Sequence, residues 1–156
     1  MPINQRDKKL LKDFLDVQRL MAVATQGKNL WIANVYYLVD NDLNLYFISP
    51  ADSEHSLQIK NNQNVACAIA DSNQQAGDKK VGIQLSGMAS EESGLATVKW
   101  MFKMYNKLHP STKEKLNYKN WQTKVMTSRV YKIVPTKIKF FNQELYGEEE
   151  EKVFII

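Results

Sequence analysis

The first twenty residues alternate between apolar and charged positions at the period of a helix. Leu10, Leu11, Phe14 and Leu15 recur every three to four positions, while most of the positions between them are charged. This spacing places the apolar side chains on one face of a helix and the charges on the other. The sequence therefore predicts an amphipathic helix over residues 4–19.

After residue 20 the pattern changes to short extended runs that are rich in β-branched and aromatic residues and separated by polar turns. Because these runs do not alternate regularly with helices, they favour an antiparallel sheet that closes into a barrel. The predicted strands are residues 20–25, 30–39, 43–49, 65–70, 81–89, 129–134 and 137–142. Predicted helical segments are residues 53–62, 91–108 and, more weakly, 111–124.

Length and composition are those of a single domain with its own hydrophobic core. The chain has 156 residues, of which 44% are hydrophobic and 24% charged. One cysteine and two histidines exclude an intramolecular disulfide and a multi-cysteine zinc site. No apolar run approaches the length of a membrane span. We therefore expect one cytoplasmic domain, residues 1–156, with the barrel over residues 20–142 and an acidic tail over residues 143–156.

The net charge of +4 is unevenly distributed along the chain. Residues 99–139 contain eleven lysines and arginines but only one acid, Glu114, with aromatic residues interleaved among them. Such a segment is typical of nucleic-acid binding. The preferred interpretation is a solvated basic face, which the acidic residues 148–151 partly neutralise.

Most catalytic signatures are absent from the sequence, including the dinucleotide fingerprint, the P-loop and the nucleophile elbow. One segment does carry chemistry: Ser49, Ser53, His55 and Ser56 lie between a predicted strand and a predicted helix. Free backbone N–H groups at a helix start, assisted by hydroxyls, form a natural phosphate site. The alternative is that Ser53 simply caps the helix.

Several stretches together resemble the FMN-binding split-barrel superfamily, the pyridoxamine 5′-phosphate oxidase-like proteins. The likeness is closest to the uncharacterised YhbP-like branch. It rests on residues 30–40, on the pattern Gly82-x-Gln84-x-x-Gly87, and on residues 130–140. The two glycines are also predicted points of bulging or close backbone approach. The resemblance implies a mainly β fold with inserted helices, an antiparallel six-to-seven-stranded split β-barrel. It also implies a homodimer with FMN in a groove at the interface.

The residues that would hold FMN follow from this resemblance. Its phosphate-binding turn falls on Ser49 and on Ser53-Glu54-His55. Here Glu54 and His55 stand where the family has arginine and lysine, a change expected to weaken phosphate binding about a hundredfold unless another base such as Lys60 compensates. The isoalloxazine ring would lie against strand residues 34–36 and 84. The predicted cofactor-binding residues are Asn34, Tyr36, Ser49, Ser53, His55, Lys60 and Gln84.

The function implied is that of an FMN-binding flavoprotein, an oxidoreductase or flavin reductase in which the cofactor performs the redox chemistry. No catalytic side chain is assigned, and enzymatic activity is left open. One alternative is a split-barrel ligand-binding or regulatory module that has lost tight FMN binding. A less favoured alternative is nucleic-acid binding through residues 99–139.

Overall fold

Seven antiparallel strands form one sheet in the computed structural model, which describes residues 2–156; Met1, the first residue of the predicted domain, lies outside them. The strand order is β3-β2-β1-β4-β5-β6-β7, and β3 also pairs with β6. Six strands therefore close into a barrel, and β7 extends the sheet beyond it. The strands are β1 (Leu20–Gln26), β2 (Leu30–Val39), β3 (Leu45–Pro50), β4 (Asn64–Ala70), β5 (Val81–Glu91), β6 (Ser128–Asn142) and β7 (Glu151–Ile155).

One α-helix precedes the first strand and four more are inserted between strands, as the predicted fold class requires. The N-terminal helix is confirmed: Leu11 and Leu15 are buried in the core, and the Asn4 side chain accepts a hydrogen bond from the Asp7 backbone N–H at 2.8 Å. In residues 2–156, no helix is both long and apolar enough to cross a membrane. The helices are α1 (Gln5–Val17), α2 (Glu54–Asn61), α3 (Leu95–Leu108), α4 (Tyr118–Gln122) and α5 (Gln143–Tyr146).

The two strands predicted at residues 129–134 and 137–142 are one continuous strand, β6. Their predicted separation at Pro135 was wrong because the register of the β5–β6 pair shifts between Ser86 and Gly87. Pro135 lies opposite Gly87, at the irregularity. A proline, which has no backbone N–H to donate, is tolerated at such a point.

Three predicted boundaries also differ from the structure. Helix α3 begins at Leu95 rather than at residue 91, because Glu91 still pairs with Tyr131 in the sheet. Strand β3 begins at Leu45 because Leu43 lies in the preceding turn with a φ of 66°. Of the segment 111–124, only Tyr118–Gln122 is α-helical.

The acidic tail predicted over residues 143–156 is part of the folded structure. It contains α5 and then β7, which pairs with β6 from Lys137↔Ile155 to Phe141↔Glu151. Within β7 the side chain of Phe154 is fully buried. The run of glutamates before this strand led to the prediction of an acidic tail, although the short apolar segment after it contributes to the core.

Two apolar clusters lie on opposite sides of the barrel wall. The inner cluster fills the barrel beneath α1 and α2 and includes Phe47 and Phe140. The outer cluster lies between α3 and the outer face of β2, β3 and β6, and includes Phe102 and Val130. Strand residues therefore alternate between the two clusters. The outer face of β1, β4 and β5 carries no such helix, and its alanines Ala66, Ala68 and Ala70 are exposed.

Candidate functional site

Three serines and one histidine meet where β3 ends and α2 begins. The Ser49 Oγ lies 2.5 Å from the His55 Nε2, and the Ser53 Oγ lies 3.2 Å from the same nitrogen. The Ser53 Oγ is also 2.8 Å from the Ser56 Oγ. Three of these predicted residues, Ser49, Ser53 and His55, are therefore brought together by the structure. We call Ser49, Ser53, His55 and Ser56 the serine–histidine cluster.

Ser53 occupies the N-cap position of α2, but its hydroxyl does not cap the helix. It donates instead to the Pro50 carbonyl oxygen at 2.8 Å. The alternative in which Ser53 serves only as a side-chain cap is therefore wrong. Because no side chain caps this terminus, the N–H groups of the first turn of α2 remain available as donors beside the cluster.

His55 is buried, and burial lowers its pKa below the ordinary value for histidine. Burial therefore favours the neutral form of the imidazole. In this form His55 can exchange hydrogen bonds with Ser49 and Ser53, but it supplies no positive charge to an anion. The role of a cationic phosphate ligand has to be filled by another residue.

The Glu54 carboxylate points along the side of α2, away from the cluster. It accepts a hydrogen bond from the Gln58 Nε2 at 2.9 Å, one helical turn further on. This orientation holds the negative charge on an exposed flank of the helix. Repulsion between Glu54 and an anion at the helix start is correspondingly reduced.

Arg129 is a basic residue beside the cluster that sequence reasoning did not single out. In the β3–β6 pair it lies opposite Ser49, so the two side chains share one face of the sheet. Tyr131 lies two residues further along the same face of β6 and is buried. The Arg129 Nη1 lies 3.3 Å from the Trp121 carbonyl oxygen, and the guanidinium forms no ion pair within residues 2–156.

A signal for Arg129 was present in the sequence. It is the one arginine of the basic segment 99–139. The strand pairing that brings it to Ser49 was not predictable from local pattern. The hypothesis that this basic segment binds nucleic acid stays a prediction.

The residues predicted to contact the flavin ring lie on the other side of the barrel wall. Asn34, Ala22, Ala68 and Gln84 form one row across β2, β1, β4 and β5. Three strand spacings separate Asn34 from Gln84, roughly 14 Å. Tyr36 is exposed near the same row, and its ring centroid is 5.1 Å from that of His109.

Within one chain, the structure does not gather these ring-contact residues and the serine–histidine cluster into a single pocket. Lys60 is also apart, since it lies in the last turn of α2, roughly 9 Å along the helix axis from Glu54. Within residues 2–156, no group of three or more histidine, cysteine or acidic side chains is placed to hold a metal ion.

No known protein-family model matches this sequence, and no curated protein is recognisably similar to it. Solved structures do share its architecture. General stress protein 26 from Bacillus anthracis superposes with a TM-score of 0.70 at 18% identity, over 96% of this chain and 98% of that chain. A protein from Clostridium acetobutylicum related to general stress protein 26, of the pyridoxinephosphate oxidase family, gives 0.66 at 12% identity, over 99% and 97%.

A heme-binding protein from Mycobacterium smegmatis gives a TM-score of 0.72 at 12% identity, over 99% of this chain and 59% of that chain. At these identities the likeness shows the fold. It agrees with the topology described above, a six-stranded antiparallel barrel with a seventh strand and inserted helices. This chain therefore has the same split-barrel fold as these solved structures, one of which is described as of the pyridoxinephosphate oxidase family.

Proposed function

We propose that this protein is an FMN-binding flavoprotein, an oxidoreductase or flavin reductase whose phosphate site is the serine–histidine cluster. The observation that carries the proposal is the start of α2. There an uncapped helix terminus, the Ser49 and Ser53 hydroxyls and Arg129 converge at the end of one strand. Two solved structures of this fold, one of the pyridoxinephosphate oxidase family and one a heme-binding protein, support a cofactor role.

The residues at this terminus fit a phosphate group. Backbone N–H groups and the positive end of the α2 dipole favour an anion. A serine hydroxyl adds a donor when it rotates its single proton from its present acceptor to the phosphate. Arg129 lies directly opposite Ser49 in the β3–β6 pair and provides a positive charge there. An arginine–phosphate pair is a charge-assisted hydrogen bond, about twice as strong as a neutral one. Arg129 thus replaces, from another strand, the basic residues that Glu54 and His55 displace.

FMN, when bound, supplies the redox chemistry. The phosphate would be bound by the serine–histidine cluster and Arg129. Because one chain does not bring Asn34 and Tyr36 to this cluster, these two residues would orient the ring only where a second copy meets the outer face of the barrel. In its neutral form His55 holds the Ser49 hydroxyl in place at 2.5 Å. The buried positions of Ser49 and His55 keep bulk water from these donors.

A second copy of the chain would complete the ring site. The face of β1, β4 and β5 without a helix is lined by exposed alanines, whereas Ile32, Tyr36 and Met88 around it are large, apolar and about half exposed or more. Exposed apolar surface of this kind is typical of protein interfaces. We infer that two copies pair through this face. The Gln84 of each copy then lies near Asn34 and Tyr36 of the other copy.

Arg129→Gln is expected to weaken FMN binding about ten- to a hundredfold, because it removes a charge-assisted hydrogen bond to the phosphate. The measurement is a titration of the purified protein with FMN, followed by the flavin absorbance band and by thermal stabilisation. Lys99→Gln removes the same charge from an exposed position on α3, away from both proposed parts of the FMN site, and it should leave the affinity unchanged.

If saturating FMN changes neither the flavin spectrum nor the melting temperature, the flavoprotein proposal fails. A parallel titration with hemin then asks whether this split barrel takes a tetrapyrrole instead. Should FMN bind equally well to wild type and Arg129→Gln, the phosphate does not lie at the serine–histidine cluster. Weak FMN binding with intact Arg129 dependence would favour the alternative of a ligand-binding module that has lost tight flavin binding.

Ala68→Glu is expected to convert a dimer into monomers, because a two-fold interface would bury this carboxylate twice without a partner. Sedimentation or light scattering gives the mass directly. Ala76→Glu, an equivalent change in the exposed loop between β4 and β5, serves as the control and should leave the mass unchanged. A wild-type protein that is monomeric at high concentration would contradict the inferred interface.

A further inference from the structure

A cavity of about 610 Å³ lies between α1, the turn from β2 to β3, and α3. Its volume is within the range of small-molecule sites. None of the seven predicted cofactor-binding residues lines it. Along β2 the cavity begins at Tyr37, where the pairing of β2 with β3 also ends at Phe47, whereas Ser49 lies beyond that pairing and is opposite Arg129 of β6. The cavity is therefore a separate site from the serine–histidine cluster.

One wall of the cavity is apolar and is formed by α3. Trp100, Met104 and Leu108 lie at helical spacing on this wall, and Leu15 of α1 contributes from the opposite side. The Trp100 ring meets the Tyr46 ring edge-on, with centroids 5.4 Å apart, and remains half-buried. A half-buried indole and a methionine side chain together favour an apolar ligand body, aromatic above all.

The carboxylates that line the cavity already have hydrogen-bonding partners. Asp16 is paired with Lys12 at 2.7 Å. Asp42 is paired with Lys8 at 3.0 Å. Asp40 accepts hydrogen bonds at both oxygens, including one from the Tyr46 hydroxyl at 2.9 Å. The charges of Asp16 and Asp42 are therefore each offset by a lysine, and both Asp40 oxygens are occupied by neutral donors.

Two of the cationic groups retain free donors. Lys107 forms no ion pair or side-chain hydrogen bond within residues 2–156. Arg19 uses only its Nη1, which donates to the Asp16 and Gln18 carbonyl oxygens at 2.8 and 3.0 Å, so its other N–H groups are unused. Unused hydrogen-bond donors in this cavity therefore belong to two positively charged side chains.

We propose that this cavity binds a small organic anion, with its charged head on Arg19 and Lys107 and its apolar body on Trp100 and Met104. The ligand is expected to be negatively charged, because the carboxylates already have partners whereas Arg19 and Lys107 have unused donors. The apolar wall of α3 selects its body. The proposal is independent of the flavin proposal, because the two sites share no predicted residue.

Two probes with the same aromatic body and opposite charge test the proposal. Naphthylacetate is expected to bind saturably, with one molecule per chain, in isothermal titration calorimetry. It should also shift the Trp100 indole N–H resonance in an NMR spectrum. Naphthylethylamine should bind at least about tenfold more weakly, because it places a cation beside Arg19 and Lys107. Inorganic phosphate alone should bind weakly, since it lacks the apolar body.

Lys107→Gln is expected to weaken naphthylacetate binding about ten- to a hundredfold. Lys103→Gln is the matched control: it lies one turn earlier on α3, is exposed, and does not line the cavity. Because neither lysine has a side-chain partner, both variants should fold normally. Arg19 lies just after α1 rather than on α3, and Arg19→Gln should weaken naphthylacetate binding to a similar extent.

Equal binding of the two naphthyl probes would overturn the proposal, as would the absence of saturable binding by naphthylacetate. So would an affinity that neither Lys107→Gln nor Arg19→Gln changes. Saturating FMN should leave naphthylacetate binding intact. Competition between the two ligands would instead assign the cavity to the flavin site, and it would contradict a separate anion site whatever the FMN affinity.

Discussion

Phe154→Ala is expected to lower the free energy of unfolding by about 3–5 kcal/mol, the range for removing a phenylalanine from a packed core. The Phe154 side chain is 0% exposed and belongs to the inner cluster that fills the barrel. It lies opposite Ile138 on β6, so its loss leaves a cavity beneath the longest strand of the sheet. Neighbouring strands restrict the collapse of that cavity.

Ile155→Ala is the control for this prediction. Ile155 is the next residue of the same strand, but its side chain is 56% exposed. Its truncation should cost less than about 1 kcal/mol. Chemical denaturation of the two variants, with the midpoint and slope compared, separates them. Equal destabilisation by the two changes would mean that β7 does not insert Phe154 into the barrel.

Gly87→Ala is expected to destabilise the protein by about 1–3 kcal/mol, because the new methyl group has no room. A Cβ at this position would lie 2.5 Å from the Val134 carbonyl oxygen and 3.0 Å from the Pro135 Cα. Both are backbone atoms, so they cannot move aside as the end of a side chain would. The β5–β6 pair would have to separate at its irregular point.

Gly77→Ala provides the matched comparison, since a Cβ there meets nothing within 4 Å. It should be neutral or stabilise the fold by about 0.4–1 kcal/mol, through the reduced freedom of the unfolded chain. Thermal unfolding of both variants measures the difference. A Gly87→Ala protein as stable as wild type would show that the close approach of β6 to Gly87 is not required.

The sequence predicted the fold well where local pattern determines structure. The change of hydrophobic period after residue 20 identified the first helix and the barrel strands. The resemblance carried by residues 30–40 and by Gly82-x-Gln84-x-x-Gly87 identified the split barrel. The close backbone approach predicted at Gly87 is confirmed. Such features depend on a residue and its near neighbours, so they can be interpreted without knowing the rest of the chain.

The errors occurred where a partner strand decided the outcome. Pro135 signals a strand end locally, yet β6 continues through it because the register shift in β5 accommodates a residue with no N–H. The strand in the acidic tail was missed because a run of glutamates comes just before its short apolar run. Only pairing with β6 makes Phe154 a core residue.

For the candidate site, the residues by themselves determined that hydroxyls and an imidazole gather at a strand–helix junction. They also showed that the expected basic residues are absent from it. Tertiary structure alone decided that burial favours the neutral form of His55 and that the Glu54 carboxylate turns toward Gln58. Pairing of β3 with β6 then placed Arg129 opposite Ser49. Helix and turn chemistry is local and can be predicted from sequence, whereas the charge beside an anion site depends on which distant strand closes the barrel.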